Sequence, residues 1–425
     1  MTGKPWVAYG DSKVGFDVPE QWNLLEIALP KDVAEVEDVS SEVEKALRSP
    51  ISSRKISEIV TKESKVAIIS DCVRRPTPAN VIIPVLLDEL NKVGVPDQNV
   101  KVIIGRGLNP PLTQEEFKQK VGDEVLCRVE VAQHDPDQNL VHIGDTSFGT
   151  PIWVNRDVME ADVKIGVGSI GFHEMAGYGG GGKIILPGVS GRATITRNHL
   201  SAATQPAARI SNLQGNPARE EIEEAARRAG LDLKIDVVLN RDNRIAKVFA
   251  GDFVEEHRMA VKKFNEIYAL QVSKLADVTI TSSFPYDTHD TMTWKAFCLA
   301  DFATADKGTI ILVSPCCNGI REPVYDLYKH YHDLSAKDAY NGIKSGELVT
   351  KYGFNVMSLP RMIDLKSRKD LIYVTEEKWV QRIREMGFVS VGSLREAIEI
   401  SNEKYTKSAD LRVVPFGGTT LCLPP

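Results

Sequence analysis

Short runs of consecutive apolar residues constrain this chain most. In KVAIIS (65–70), VKVII (100–104), ADVKIGVG (161–168) and TIILVS (309–314), residues that face opposite sides of a strand are apolar alike. A strand of that kind must be covered on both faces, which is the situation of a parallel sheet between two helix layers. ANVIIPVLLDELNKV (79–93) separates the first two runs and is apolar at helical spacing, with Pro84 as a point of kinking. Helical patterns over 40–49, 217–229 and 254–270, and strands at 233–239 and 247–250, extend this first αβ series. A second series begins near Leu275 with DVTITS (277–282), a helix over 291–305 and TIILVS. Alternating elements at 371–375, 376–386, 393–403 and 411–415 continue it. For 425 residues two domains are expected. The fold class predicted is therefore α/β: two α/β domains with mostly parallel sheets, 1–272 and 273–425, and an active-site cleft between them. VAYGDSKVGFDVP near the start reads as a hairpin around a Gly-Asp-Ser turn.

Ligands of open α/β sheets bind beyond the carboxyl ends of the strands. The segments that follow three of these runs carry chemistry. After KVAIIS comes Asp71-Cys72-Val73-Arg74-Arg75-Pro76, and after VKVII comes Gly105-Arg106-Gly107-Leu108-Asn109-Pro110. After ADVKIGVG comes SIGFHEMAGYGGGGKIILPGVSGRATITRNH, in which Gly179, Gly180, Gly181 and Gly182 lead into Lys183, between His173 and His199. Glycine lets backbone amides approach a ligand, and successive amides can form an anion-binding nest. The lysine then reads as a phosphate clamp, or alternatively as a surface residue after a tight turn. It is no P-loop lysine, because Ile184 stands where that motif needs Ser or Thr.

These residues resemble the signature of the lactate racemase family, whose enzymes use a nickel-pincer nucleotide. The likeness rests on His173, Ala176-Gly177-Tyr178-Gly179-Gly180-Gly181-Gly182-Lys183, Pro187-Gly188 and His199. It implies that Lys183 carries the cofactor covalently. That cofactor is pyridinium-3-thioamide-5-thiocarboxylic acid mononucleotide with nickel. It further implies that His199 ligates the nickel and that His173 is a catalytic acid/base. The Asp71 loop resembles the family's D-x-T-R-P element, which places Asp71 at the cofactor and an arginine on the substrate carboxylate. Counting from Asp71 selects Arg74 and counting back from Pro76 selects Arg75, so both are candidates.

The chain departs from the family pattern at other positions. Aligned on Pro111-Leu112-Thr113, Asn109 stands where the family has its second acid/base histidine. Asn hydrogen-bonds but does not titrate. In the second domain, Trp294, Lys295 and Cys298 stand where the family has Tyr, Gln and Lys. Trp294 is then a substrate-binding candidate, and His289 and Lys295 are candidates to replace the missing base. The resemblance implies a racemase or epimerase acting through hydride transfer and a 2-keto intermediate. The changed residues point to a 2-hydroxy acid larger than lactate, such as a sugar acid. The competing readings are a nucleotide- or anion-binding protein without nickel chemistry, and a hydroxyacid dehydrogenase, for which the first βα turn lacks GxGxxG.

A net charge of −6 gives no sign of a nucleic-acid partner. No apolar run is long enough for a membrane span. The opening MTGKPWVAYGDSK lacks the apolar stretch of a signal peptide, and six scattered cysteines make no disulfide framework, so a cytoplasmic protein is expected. The partners implied are a small hydroxy acid and the enzymes that mature the cofactor.

Overall fold

The structure is a computed structural model that describes residues 4–287 and 290–424. The chain forms two compact units, Asp32–Phe264 and, together, Met1–Lys31 with Asn265–Pro425. Each has a six-stranded sheet among the described residues. In chain order the sheet strands are β1 (Trp22–Ile27), β2 (Val66–Asp71), β3 (Val100–Gly105), β4 (Glu130–Gln133), β5 (Val163–Ser169) and β6 (Leu233–Leu239). They continue with β7 (Ile245–Gly251), β8 (Ala276–Ser282), β9 (Thr304–Val313), β10 (Asp370–Val374), β11 (Val389–Val391) and β12 (Ala409–Val414). The helices that matter below are α1 (Val39–Arg48), α2 (Ala79–Lys92), α3 (Gln114–Arg128), α4 (Arg192–Ala203), α5 (Pro217–Ala229), α6 (Glu255–Tyr268) and α7 (Asp290–Asp301).

In the 32–264 unit the strand order is β7-β6-β5-β2-β3-β4, parallel except for the β6–β7 pair. Both faces are covered, as the unbroken apolar runs require. Val66 and Ile68 of β2 pack with residues of α1, α2 and α3, while their neighbours Ala67 and Ile69 pack with Ile184–Val189 and α5. From β2 the sheet grows to β3 and β4 on one side and to β5 and β6 on the other. A doubly wound sheet opens its ligand crevice at such a reversal, here between the carboxyl ends of β2 and β5. Helix α5 starts where Asn216 accepts from the amides of Ala218 and Arg219 with Pro217 in the first turn, and stops at Gly230 with φ 71°.

The other unit has the order β11-β10-β9-β8-β12-β1, parallel throughout. The first 31 residues, expected in the N-terminal domain, belong here instead. The reason is pairing: Trp22 of β1 lies opposite Ala409 of β12 and is buried with Val278, Ile280 and Leu411. The expected hairpin forms from Trp6–Tyr9 and Ser12–Gly15. Among the described residues no helix is long and apolar enough to cross a membrane.

Candidate active site

After β5 the chain forms a small strand pair, Phe172–His173 with Gly177–Tyr178, and then a tight turn, Gly181–Ile184, that contains Lys183. Three fully buried side chains hold this loop from behind. Arg219 of α5 donates to the carbonyls of Ala176 (3.2 Å), Gly180 (3.3 Å) and Tyr178. The ring of His257 on α6 is buried and donates from Nε2 to the Gly179 carbonyl at 2.8 Å. Asp236 of β6 accepts from the Gly181 amide at 2.6 Å and from Lys234 Nζ at 2.6 Å.

The glycines are explained by this packing. A Cβ on Gly180 would sit 2.7 Å from Asp236 Oδ2, on Gly181 2.9 Å from the Phe253 carbonyl, and on Gly182 2.9 Å from Ala226 Cβ. Three amides of the expected nest are already used. The amides of Gly179, Gly181 and Lys183 already donate to Gly171, Asp236 and Gly180. Gly180, Gly181 and Gly182 let a loop lie flush on α5, α6 and β6.

Lys183 makes no side-chain hydrogen bond or ion pair among the described residues, and the same holds for the Arg75 guanidinium. The two are near enough to affect each other. Burial, then Arg219 and Arg75, hold the Lys183 amine well below its usual range. His173 lies far below the ordinary imidazole value through burial, then Lys183 and Arg75. His199 is pushed down to about 4 by burial and Lys183. Each of these residues keeps some accessible surface while the protein desolvates its titrating group. Arg75, His173, Lys183, His199 and Arg219 thus form one cluster, and the carboxylates acting on Arg219 are Glu223, 3.9 Å away, and then Asp236.

Two tautomers follow from the hydrogen bonds. His199 Nδ1 faces the Ile195 carbonyl at 2.8 Å, so it carries the proton and Nε2 keeps a free lone pair. This bond spans four residues of α4, so the helix itself orients the ring. His173 Nδ1 accepts instead, from the amides of Met175 (3.3 Å) and Ala176 (3.2 Å), which leaves the proton on Nε2. A neutral His173 therefore presents an N–H donor.

The crevice residue Asp71 is held by groups not foreseen from the sequence. Buried Lys120 of α3 donates to Asp71 Oδ1 at 2.5 Å and to the carbonyls of Arg75 and Thr77. Thr77 Oγ1 bridges Asp71 Oδ2 (2.6 Å) and Ser169 Oγ (2.8 Å), joining the ends of β2 and β5. This turn leaves Arg74 exposed and turns Arg75 to the cluster, which separates the two candidates. Asn109 aims its amide at Cys72 Sγ, 3.6 Å away, and Cys72 packs in the core on the α2 side of the sheet.

In the second unit, Trp294 is a core residue. Its ring packs edge-on against Tyr328 at 4.3 Å and Phe388 at 5.6 Å. Lys295 is buried with its ammonium 3.4 Å from the Tyr286 ring centre. His289 lies outside the described residues.

The N-terminal part of the chain, residues 9–211, matches the lactate racemase N-terminal domain. A lactate racemase of Lactiplantibacillus plantarum is 33% identical over 304 residues, 70% of this chain and 69% of that protein. The chain belongs to the lactate racemase family. A lactate racemase of Thermoanaerobacterium thermosaccharolyticum is 28% identical over 421 residues, 97% of each chain. The structure of the lactate racemase apoprotein from that organism superimposes with a TM-score of 0.89, at 26% identity, over 98% of this chain and 99% of that one. A Thermotoga maritima protein shares the fold with a TM-score of 0.68, at 17% identity, over 94% of this chain and 100% of its own.

The residues of the cluster suit the cofactor that the family resemblance implies. An unpaired, desolvated amine at Lys183 is biased toward the free base, as a covalent attachment point requires. His199 offers a bare Nε2 fixed by a carbonyl on its other nitrogen, the usual arrangement behind a metal-bound imidazole. The supporting residues Lys120, Arg219, Lys234 and Asp236 escaped the sequence reading. Lys234 and Asp236, two charges two positions apart inside the apolar strand LKIDVVL, are the one signal that could have marked them.

Proposed function

We propose that this protein interconverts stereoisomers of a 2-hydroxy acid, with a nickel-pincer nucleotide on Lys183 and His199 Nε2 as a nickel ligand. The observation that carries the reading is the unpartnered Lys183 amine in one cluster with a histidine whose Nδ1 is already bonded to Ile195. When bound, the cofactor supplies a hydride acceptor, so that the hydrogen on the substrate C2 can leave and return to either face through a 2-keto acid. The chain's own residues do the rest. Arg75, without a side-chain partner among the described residues, binds the substrate carboxylate through paired N–H groups. Lys120 and Thr77 keep the Asp71–Arg75 turn in place. His173 donates from Nε2 to the substrate oxygen and stabilises it as a carbonyl. To take the hydroxyl proton, the ring must first give up its contacts to Met175 and Ala176 and carry its proton on Nδ1.

A substrate larger than lactate is supported by the second-unit segment, which differs from the family at Trp294, Lys295 and Cys298. There Trp294 is drawn into the core and Lys295 is held on Tyr286. His289 and Lys295 remain the candidates for the second proton-transfer group.

The test is the intact mass and nickel content of the protein produced together with the enzymes that make the cofactor. Expected are added mass on Lys183, none in Lys183→Ala, and weakened nickel retention in folded His199→Ala. The matured protein should exchange deuterium into a 2-hydroxy or sugar acid while forming its epimer. A protein that binds nucleotides yet never gains mass would establish the anion-binding reading instead.

A further inference from the structure

The carboxyl group of Glu256, at the start of α6, has no part in the chemistry above and is fully buried. No donor reaches either of its oxygens among the described residues. It lies beside Asp236, which is already paired with Lys234 and bonded to the Gly181 amide. The charged groups facing it are Asp236 and Lys234 from β6 and Asp252 from the turn between β7 and α6. A second negative charge here would be buried without a hydrogen bond, beside two carboxylates and one lysine whose charge Asp236 already balances. The arrangement is satisfied when Glu256 is an acid that donates its own O–H to Asp236.

We propose that Glu256 is a neutral carboxylic acid sharing its proton with Asp236, and that this pair, with Arg219 and His257, is the mount that positions the loop bearing Lys183. Four consecutive backbone groups of that loop are fixed by side chains of the mount. They are the carbonyls of Tyr178, Gly179 and Gly180 and the amide of Gly181, two residues before Lys183. Asp236 is the joint: one oxygen takes Lys234 and the other takes the loop. Glu256 keeps that carboxylate from needing a further donor. These are positioning residues, acting through the loop. Only the role of Lys183 rests on the proposed function, and the experiment uses the unloaded full-length chain, so that failure of either idea is distinguishable.

Glu256→Gln replaces the acid by a neutral donor of the same shape. Burial and then Asp236 push the wild-type Glu256 well above the usual carboxylate range. Below the unfolded value both folded and unfolded forms are protonated and the group contributes nothing. As pH rises past the unfolded value, ionisation favours the unfolded chain, so the wild type loses stability that the variant keeps. The melting temperature of Glu256→Gln relative to wild type should therefore climb between pH 5 and pH 8. A difference that is flat or falls with pH overturns the neutral acid. Hydrogen exchange reads the mount itself. Peptides covering 177–184 should exchange as in wild type in Glu256→Gln and about tenfold faster or more in Asp236→Asn, with β2 unchanged. Equal protection in Asp236→Asn overturns the mount. If that variant does not fold, Arg219→Lys serves, since one ammonium cannot span three carbonyls, and unchanged exchange there has the same consequence.

Discussion

Replacing Gly181 by alanine separates two reasons for a glycine run, packing against the protein and access for a ligand. Gly181 has φ +59°, and its added Cβ would lie 2.9 Å from the Phe253 carbonyl oxygen and 3.0 Å from the His257 ring. Gly215 is the control, with φ +62° and nothing within 4 Å of its added Cβ. Both substitutions carry the cost of a left-handed alanine, about 1–2 kcal/mol. Gly181→Ala must also move a backbone carbonyl or a fully buried ring. Overpacking of that kind costs about 1–3 kcal/mol. Displacing His257 breaks its 2.8 Å bond to Gly179, a further loss of about 0.5–1.5 kcal/mol. The totals are about 1–2 kcal/mol for Gly215→Ala and about 2.5–6.5 kcal/mol for Gly181→Ala. Urea unfolding of the two unloaded variants beside wild type measures both. Equal costs, within about 0.5 kcal/mol, would refute the packing argument and return the glycines to a ligand-facing role.

Two further outcomes follow from the placement of the crevice side chains. Arg75→Gln should raise KM for a carboxylate substrate by tenfold or more, about the loss of a charge-assisted pair, whereas exposed Arg74→Gln should leave the kinetics near wild type; steady-state assays of matured protein compare them, and equal effects would contradict the turn geometry. Asn109→Ala should lower turnover less than about tenfold, because the amide faces Cys72. A loss of about a hundredfold, the scale of general acid–base catalysis, would show that Asn109 works on the substrate.

The fold was legible where burial is two-sided. Ile68 and Ile69 enter opposite cores, and a sequence with both apolar states that directly. The αβ alternation then yields two doubly wound sheets. Less legible were elements whose stability comes from elsewhere. Helix α3 is broken by Gly122 at φ 79°, so its apolar positions follow no single helical phase. The helices Glu322–Tyr331, Ala336–Lys344, Glu347–Tyr352 and Leu359–Arg368 are short. The placement of β1 with β12 was hidden for another reason: strand partners 387 residues apart in sequence leave no local trace of their pairing.

The site divides along the same line. His199 could be placed from local sequence, since its Nδ1 partner is one helical turn back at Ile195. The choice between Arg74 and Arg75 could not, because it depends on Lys120, 45 residues from Arg75, capturing the turn by its carbonyl. What the glycine run packs against was hidden for the same cause. Glycine marks a place where the backbone comes close to something, but it does not say to what. Here the something is Asp236, Ala226, Phe253 and His257, contributed by β6, α5, the turn after β7 and α6. A lysine at the end of such a loop needs no nest of amides to meet an anion. The loop is clamped from behind by Arg219 and His257, and that leaves the Lys183 amine without a partner on its other side. The same packing that explains the glycines thus leaves the Lys183 side chain unpaired among the described residues, the state that the proposed covalent attachment needs.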